Sequence, residues 1–391
     1  MSGLAELDER VLSEALRERG LDGWLVYDFH GVNPIAHRLL SAHGMVTRRV
    51  FLWLPAVGPA QLIAHNIDRP ALGDFPGEVD VYTTWQQLHH RLQALVRGRR
   101  IAMEVSPENA VPYLDLVPSG LVELLTRMGA VIIPSDALVT QFAACWSMQE
   151  QVDHRHAAEA IAAIARDTIA RVVGQVGAAR EAAVQAEVLT AMQRAGLSTE
   201  EPPIVGFGPN AADPHYEPRA GADRLLQAGD VVLVDLWAKA TPTTVWADQT
   251  WMGVASHDPN ARIVEVWNAV RDARDAAVQR LRDAFATGAR VSGGDLDRVA
   301  RGVIESRGFG EAFVHRTGHS IEAELHGAGP HLDDFETHDT RELLIGVGFS
   351  IEPGVYLTGE FGVRSEVNVL LAVNGPEVSP VEPQMALIVP R

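Results

Sequence analysis

Two periods of apolar spacing run through this chain and divide it into two parts. Leu4 to Arg19 alternates charge with apolar residues at helical spacing, which predicts an amphipathic helix. Short strand-like runs follow at Gly23–Asp28, Val50–Leu54, Gln61–His65, Asp80–Thr83, Arg100–Glu104 and Ala130–Pro134, the pattern of an α/β domain. Ala143 to Asp153 has little strand character and leads into an alanine-rich helical stretch from about Val152 to Val176. The expected domains are therefore 1–145 and 146–391.

In the second part, helices are predicted over Glu181–Arg194, from after Asp258-Pro259 towards Ala286 with Gly288 as the stop, and over Asp295–Arg307. A glycine- and histidine-rich loop spans Gly308–Pro330, and strands are expected around Gly348–Tyr356 and Gly362–Val373. The expected fold class is α/β plus α+β. No short-period repeat and no low-complexity tract interrupts it.

The 391 residues exceed one ordinary core and suit two domains, and 47% hydrophobic with 21% charged residues is a globular balance. A net charge of −18 disfavours nucleic acid and anionic membranes as partners and leaves a small molecule or peptide. Cys145 is the only cysteine, so neither an internal disulfide nor a thiolate zinc site is available, which suits a reducing cytoplasm. The N-terminal segment lacks the apolar core of a signal peptide and no run of 18 apolar residues occurs, so an intracellular protein is expected.

Against that background the acids in apolar runs stand out. Asp235 interrupts VVLVDLWA, where an unpaired carboxylate costs several kcal/mol. Asp248 lies in VWADQTWMG, which faces the first run across a hairpin turned by Lys239 to Thr243. Thr250 points to the same strand face as Asp248 and can orient it. Glu352 ends the run SIEPGVY and Glu366 sits in GVRSEVNVLL. With His319 in TGHS, these four carboxylates match the needs of two divalent cations about 3.5 Å apart.

Most of the 15 histidines are ordinary surface or core residues, among them His89, His90, His154 and His156. His319 lies between Gly318 and Ser320 in a loop-to-strand context that suits a metal ligand, and His326 is near enough in sequence to reach the same cavity. His215, in NAADPHYEP, reads locally as an exposed loop residue.

The ordered series Asp235, Asp248, His319, Glu352 and Glu366, with PHY upstream, TGH followed by a second histidine, EPGVY and RSE, resembles the metallopeptidases of the prolidase, aminopeptidase P and methionine aminopeptidase family. The resemblance implies a pita-bread catalytic domain from about residue 150 and a creatinase-like α/β domain before it, a layout that points to the proline-specific branch. It implies that Asp235 is a terminal ligand, that Asp248 and Glu366 bridge two ions, and that His319 and Glu352 hold the second. A solvent molecule shared by the ions would attack the scissile carbonyl and pass its proton through Glu352 to the leaving nitrogen. His326 and His215 would polarise the carbonyl or hold the tetrahedral intermediate. Arg364 would anchor a bridging carboxylate or bind substrate.

The activity this implies is Xaa-Pro dipeptide hydrolysis, with Mn²⁺ the favoured metal, Co²⁺ or Zn²⁺ as alternatives, and a homodimer as the assembly. Aminopeptidase P is the alternative, followed by a creatinase-like C–N hydrolase or a non-catalytic binding module. An Xaa-Pro bond is a tertiary amide without an N–H, so a site must hold the ring, for which Tyr216, His215 and Trp246 are candidates. Arg341, Arg364, Arg316 and His338 are candidates for the substrate carboxylate. The chain departs from the family pattern in carrying Val245 and Trp246 where a Tyr is usual, Trp251 where an Arg is usual, and Gly327 where a Glu often follows the second histidine. The spacing of 13 between Asp235 and Asp248 is also longer than the usual hairpin.

Overall fold

The computed structural model describes residue 4, residues 7–40 and residues 44–391. The chain divides between Ala143 and Ala144 into two compact units. The first holds helices α1 (Glu9–Glu18), α2 (Pro34–Leu40), α3 (Trp85–Val96), α4 (Ser119–Arg127) and α5 (Asp136–Phe142). Its strands are β1 (Gly23–Phe29), β2 (Arg49–Pro55), β3 (Gln61–His65), β4 (Glu78–Tyr82), β5 (Arg100–Met103) and β6 (Val131–Pro134). They form one mixed sheet in the order β4-β3-β2-β1-β5-β6. α1 begins later than Leu4 because the Asp8 carboxylate caps it, accepting from the backbone N–H groups of Arg10 and Val11. Ala5 and Glu6, within the expected helix, lie outside the described residues.

The second unit opens with α6 (Met148–Val172), whose start is set by a capping box between Ser147 and Glu150, a few residues before the alanine-rich pattern begins. Its buried face is built from Ala157, Ala158, Ile161, Ala162, Ala165 and Ile169, small enough for the helix to lie close against a sheet. That sheet has the order β7-β8-β9, from β7 (Ile204–Phe207), β8 (Val231–Ala238) and β9 (Ala247–Val254), and α7 (Glu181–Arg194) covers part of the same core. Gly253 permits the approach, since a Cβ there would meet Ile169 Cγ2 at 2.4 Å. α8 (Ala261–Thr287) ends at Gly288 in the left-handed conformation, as the sequence predicts, and α9 (Gly293–Ser306) starts at a Ser292–Asp295 capping box.

The remaining strands are β10 (Gly348–Ile351), β11 (Gly354–Leu357), β12 (Phe361–Arg364), β13 (Val367–Ala372) and β14 (Gly375–Ser379). Here the structure differs from the expectation of two continuous strands. The first is broken at Glu352-Pro353 and the second at Ser365-Glu366, so that β10 and β13 pair in one sheet while β11 and β12 pair in another. Pro353 has no N–H to continue a ladder. Both breaks coincide with a buried or half-buried acid, so the acids stand where the chain changes sheets. Among the described residues no helix is long and apolar enough to cross a membrane.

One acid lies deep in the first unit. Glu104 follows β5 and is fully buried, accepting from the Trp24 indole at 2.6 Å and the Ser135 hydroxyl at 3.1 Å. Burial pushes its carboxyl up to about 7, against the pull of those two donors. The folded state therefore keeps a proton that the unfolded chain loses near its ordinary value of 4.5. This contribution to stability is full below that value and declines as pH rises to about 7, by on the order of 3 kcal/mol, then stays flat. Glu104→Gln should remove that slope: in urea unfolding of the whole protein, the variant should gain relative to the parent between pH 5 and pH 8. An equal difference at both pH values would rule out titration of Glu104 in the fold.

Candidate metal centre

The β8–β9 ladder sets Asp235 opposite Thr250 and Trp237 opposite Asp248, so both acids and Thr250 share one face of the sheet. Thr250 Oγ1 lies 2.7 Å from Asp235 Oδ1 and 3.0 Å from Glu366 Oε2, joining acids from two sheets. Arg364, buried at the end of β12, donates through Nε to Thr250 Oγ1 and through Nη2 to Asp235 Oδ2. The Tyr356 hydroxyl lies 3.4 Å from Arg364 Nη1 and 2.9 Å from His315 Nε2.

His319 enters from the loop before β10. Its backbone N–H donates to Ser350 Oγ at 3.0 Å, and its Nδ1 lies 3.1 Å from the Ser320 carbonyl, which fixes that nitrogen as the protonated one in the neutral ring. Nε2 then faces Asp248 Oδ2 at 3.5 Å and Glu352 Oε1 at 3.3 Å. A lone pair aimed at two carboxylate oxygens is unfavourable unless a proton or a metal ion lies between them. Asp248, His319 and Glu366 each offer an atom within 4.8 Å of the others, as a metal ion requires. Asp248 Oδ1 and Glu366 Oε1 are buried without a hydrogen-bond partner among the described residues. This donor set fits a divalent cation.

The electrostatics agree. Burial, then Asp248 and the other acids, push Glu366 well above the ordinary carboxylate range. Burial likewise raises Asp235, and it brings Asp248 up to about 6. Glu352 goes the other way: burial raises it, but His319 and Arg364 together bring it down to about 2. Four acids and one guanidinium cannot all be ionised here at low cost, and a dication would remove the conflict.

The other predicted residues divide into those near this centre and those turned elsewhere. The His326 ring lies 4.3 Å from the His319 ring at 65°, on an exposed stretch of loop. His319, then burial and Arg316, bring its pKa down to about 3, so the ring is neutral. His215 is exposed, and its charge is felt at His326. Arg316 is buried and is felt at both Glu352 and His326. The Tyr216 hydroxyl points to Glu181, 2.7 Å away. Arg341 is buried with its guanidinium on Asp339 and on the carbonyls of Ala328 and Gly329, holding its own loop. Trp246 is buried, and the ammonium of Lys239 covers its ring at 4.5 Å, so that face is closed to a proline ring. His338 pairs with Asp334 on the surface.

Two groups escaped the sequence reading. Asn368 holds Asp248 by its backbone, accepting from its N–H at 2.9 Å and donating to its carbonyl at 2.7 Å, with His154 behind it at 3.1 Å. A lone amide in the buried strand VNVLLA was the available signal. Glu181 is fully buried and accepts from Phe207 N, Asn210, Tyr216 and Arg224 N, which fixes the segment bearing His215. It stands in the first turn of α7, where an acid is common and carries no signal of burial.

The sequence profile of Metallopeptidase family M24 matches residues 153–372. The chain belongs to metallopeptidase family M24. The M24 match runs from within α6 to the end of β13 and so encloses Asp235, Asp248, His319, Glu352 and Glu366. Probable dipeptidase PepE of Mycobacterium tuberculosis is 32% identical over 196 residues, 50% of this chain and 48% of that protein. Xaa-Pro dipeptidase of Lactobacillus delbrueckii subsp. lactis is 34% identical over 191 residues, 49% of this chain and 48% of that protein. The matched segment thus spans about half the length of these curated relatives. In structure, dipeptidase PepE from Mycobacterium ulcerans superposes with a TM-score of 0.76 at 26% identity, over 98% of this chain and 97% of that one. The pita-bread fold of M24 peptidases and the α/β domain before it are therefore both present.

The departures from the M24 pattern have structural counterparts. Trp251 lies on the opposite face of β9 from Thr250, with the Arg166 guanidinium over its ring, and it packs in the core beneath α6. At Gly327 a Cβ would meet Glu322 Oε1 at 2.4 Å. The carboxylate of Glu322 fills that space, accepting from Ser320 Oγ at 2.9 Å and Gly329 N at 2.7 Å.

If these acids hold metal, Glu366→Gln and Asp248→Asn should each abolish most of the rise in melting temperature that Mn²⁺ gives the parent. In chelator both variants should melt no lower than the parent, since each takes one member out of a crowded group of buried acids. A variant that keeps the whole Mn²⁺-induced rise in a thermal melt takes its residue out of the ligand set.

Proposed function

We propose that this chain is a dinuclear metallopeptidase that hydrolyses Xaa-Pro dipeptides, with residues 146–391 as its catalytic domain and residues 1–145 as a creatinase-like N-terminal domain. The observation that carries the reading is the setting of His319 Nε2 between Asp248 and Glu352, beside carboxylate oxygens that lack a donor. Likeness to an Xaa-Pro dipeptidase and to PepE dipeptidases supports the substrate class. Asp235, Asp248, His319, Glu352 and Glu366 would hold two divalent cations, with Asp248 and Glu366 shared between them. An oxygen-rich set with one imidazole suits Mn²⁺, Co²⁺ or Zn²⁺, and the family resemblance makes Mn²⁺ the first choice. Bound cations supply Lewis acidity, which polarises the scissile carbonyl and makes water a stronger acid.

The protein's own groups do the rest. Glu352, with Oε1 3.3 Å from His319 Nε2, would accept a proton and deliver it to the leaving proline nitrogen. Ser350 Oγ, 3.0 Å from Glu352 Oε1, keeps that carboxylate in place. A neutral His326 offers an N–H to the substrate carbonyl as negative charge develops on it, and His215 does the same from the opposite segment. Arg364 holds Asp235 and Thr250 and stays within 4.0 Å of Glu352, so its role is to steady the ligands. A homodimer in the cytoplasm completes the proposal, the single cysteine suiting a reducing compartment.

The deciding assay compares Ala-Pro and Ala-Pro-Ala as substrates of metal-stripped protein before and after Mn²⁺ is added. Mn²⁺-dependent cleavage of the dipeptide alone is expected. Cleavage of the tripeptide would move the assignment to aminopeptidase P, and cleavage of neither with any divalent metal would end the proline-specific reading. His326→Ala should lower kcat by roughly a hundredfold with metal content unchanged. Loss of an ion in that variant would recast His326 as a ligand.

A further inference from the structure

The segment that carries His326 has no helix or strand of its own, yet its carbonyls are captured one after another. The Trp146 indole N–H donates to the Ile321 carbonyl at 2.7 Å, and the Trp246 backbone N–H donates to that of Glu322 at 3.1 Å. The Ala323 carbonyl receives two donors, the Lys239 ammonium at 2.7 Å and the Trp246 indole N–H at 2.9 Å. Lys239 and Trp246 are both buried, and the ammonium lies on the indole face. Behind them, Lys239 exchanges backbone hydrogen bonds with Ser198 at 2.8 and 2.9 Å, while Trp246 packs with Trp146, Ile321 and Leu325.

Both donors come from the long connection of the β8–β9 hairpin, whose last ladder pair is Ala238 with Ala247. That connection sets the 13-residue spacing from Asp235 to Asp248, and it reaches Ala323. A buried ammonium is costly unless it has partners, and here its partners are a carbonyl and a ring that together fix one point of the loop. His326 lies three residues beyond that point.

We infer that Lys239 and Trp246 form a two-donor latch on the Ala323 carbonyl that positions His326 over His319, and that both are positioning residues for the proposed peptidase. The inference rests on the role given to His326 above. The latch acts on the substrate side of the centre. The ligands themselves are braced by other groups, Asp248 by Asn368, His319 by Ser350 and Asp235 by Thr250.

Two variants of the full-length protein test it. Trp246→Phe removes the indole N–H and keeps a ring, and Lys239→Met removes the ammonium and keeps the stem. Lys239→Met alone carries the test if the tryptophan variant does not fold. In metal-stripped protein, amide hydrogen exchange across residues 320–329 should rise in each variant, while residues 231–238 and 367–372 keep the parent's protection. Mn²⁺ affinity by calorimetry should stay within about twofold of the parent. With Ala-Pro, kcat should fall roughly tenfold and KM change less, the scale of one lost buried hydrogen bond. Lys239→Arg should recover most of the loss.

Unchanged exchange across 320–329 would overturn the latch. A parallel fall in Mn²⁺ affinity would overturn the positioning role, because the pair would then support the whole centre. Faster exchange with kcat intact would do the same, by showing that His326 does not need the latch. If the parent itself cleaves no Xaa-Pro peptide, the functional reading fails, and the exchange data alone decide the latch.

Discussion

Four carboxylates share one desolvated pocket in which Arg364 is the guanidinium that bonds to them, and much of the second unit is arranged around that imbalance. Arg364 answers Asp235, and Thr250 has one hydroxyl proton for two acids. Asp248 and Glu366 are left with a buried oxygen each that no donor among the described residues reaches. The opposed pKa shifts are the same fact in other terms, with Glu352 pulled down by His319 and Arg364 and Glu366 pushed up by burial and its neighbouring acids. A protein keeps such a conflict where an external charge resolves it, because otherwise apolar residues of similar volume would give a more stable core.

The strain of that pocket is carried by packing around it. α6 presses alanines against β8 and β9, which fixes the hairpin bearing Asp235 and Asp248. Glu352 and Glu366 stand at strand breaks, where the chain leaves one sheet for another and a side chain can turn inward without belonging to either ladder. Nearly every candidate ligand has a partner from a different element: Asn368 for Asp248, Ser350 for His319 and Glu352, Thr250 for Asp235 and Glu366. Such outer partners fix orientation before any ion arrives, which is how a site gains precision.

The acids were legible because each interrupts an apolar run, and the helices were legible from caps and spacing, as at Gly288 and Ser292. What a one-dimensional pattern lacks is partner identity. Two apolar runs near Glu352 and Glu366 read as continuous strands, since period-2 spacing reports burial of a face and says nothing about which sheet a residue joins. Arg341 and Trp246 carried the right chemistry for substrate contacts, yet Asp339 and Lys239 take them up, and neither pairing has a local signature that separates it from an exposed site. Gly327 read as a missing acid, whereas Glu322, five residues earlier, fills the space from the other side of the loop.

The settings of the two neighbouring histidines explain why they should differ in role. His319 has both nitrogens committed, one to Ser320 and one towards Asp248 and Glu352, so it belongs to the cage. His326 lies against it on the exposed side, with the rings 4.3 Å apart, and the neighbouring ring, burial and Arg316 keep it neutral. Neutrality leaves it an N–H donor, useful to a carbonyl that gains charge and of little use to a free carboxylate seeking a counter-charge. Its position is set by the hairpin connection and not by the groups that brace the acids. The side of the centre that would meet a peptide can therefore change with the length of one connection, while the side that would meet the metal keeps its own supports.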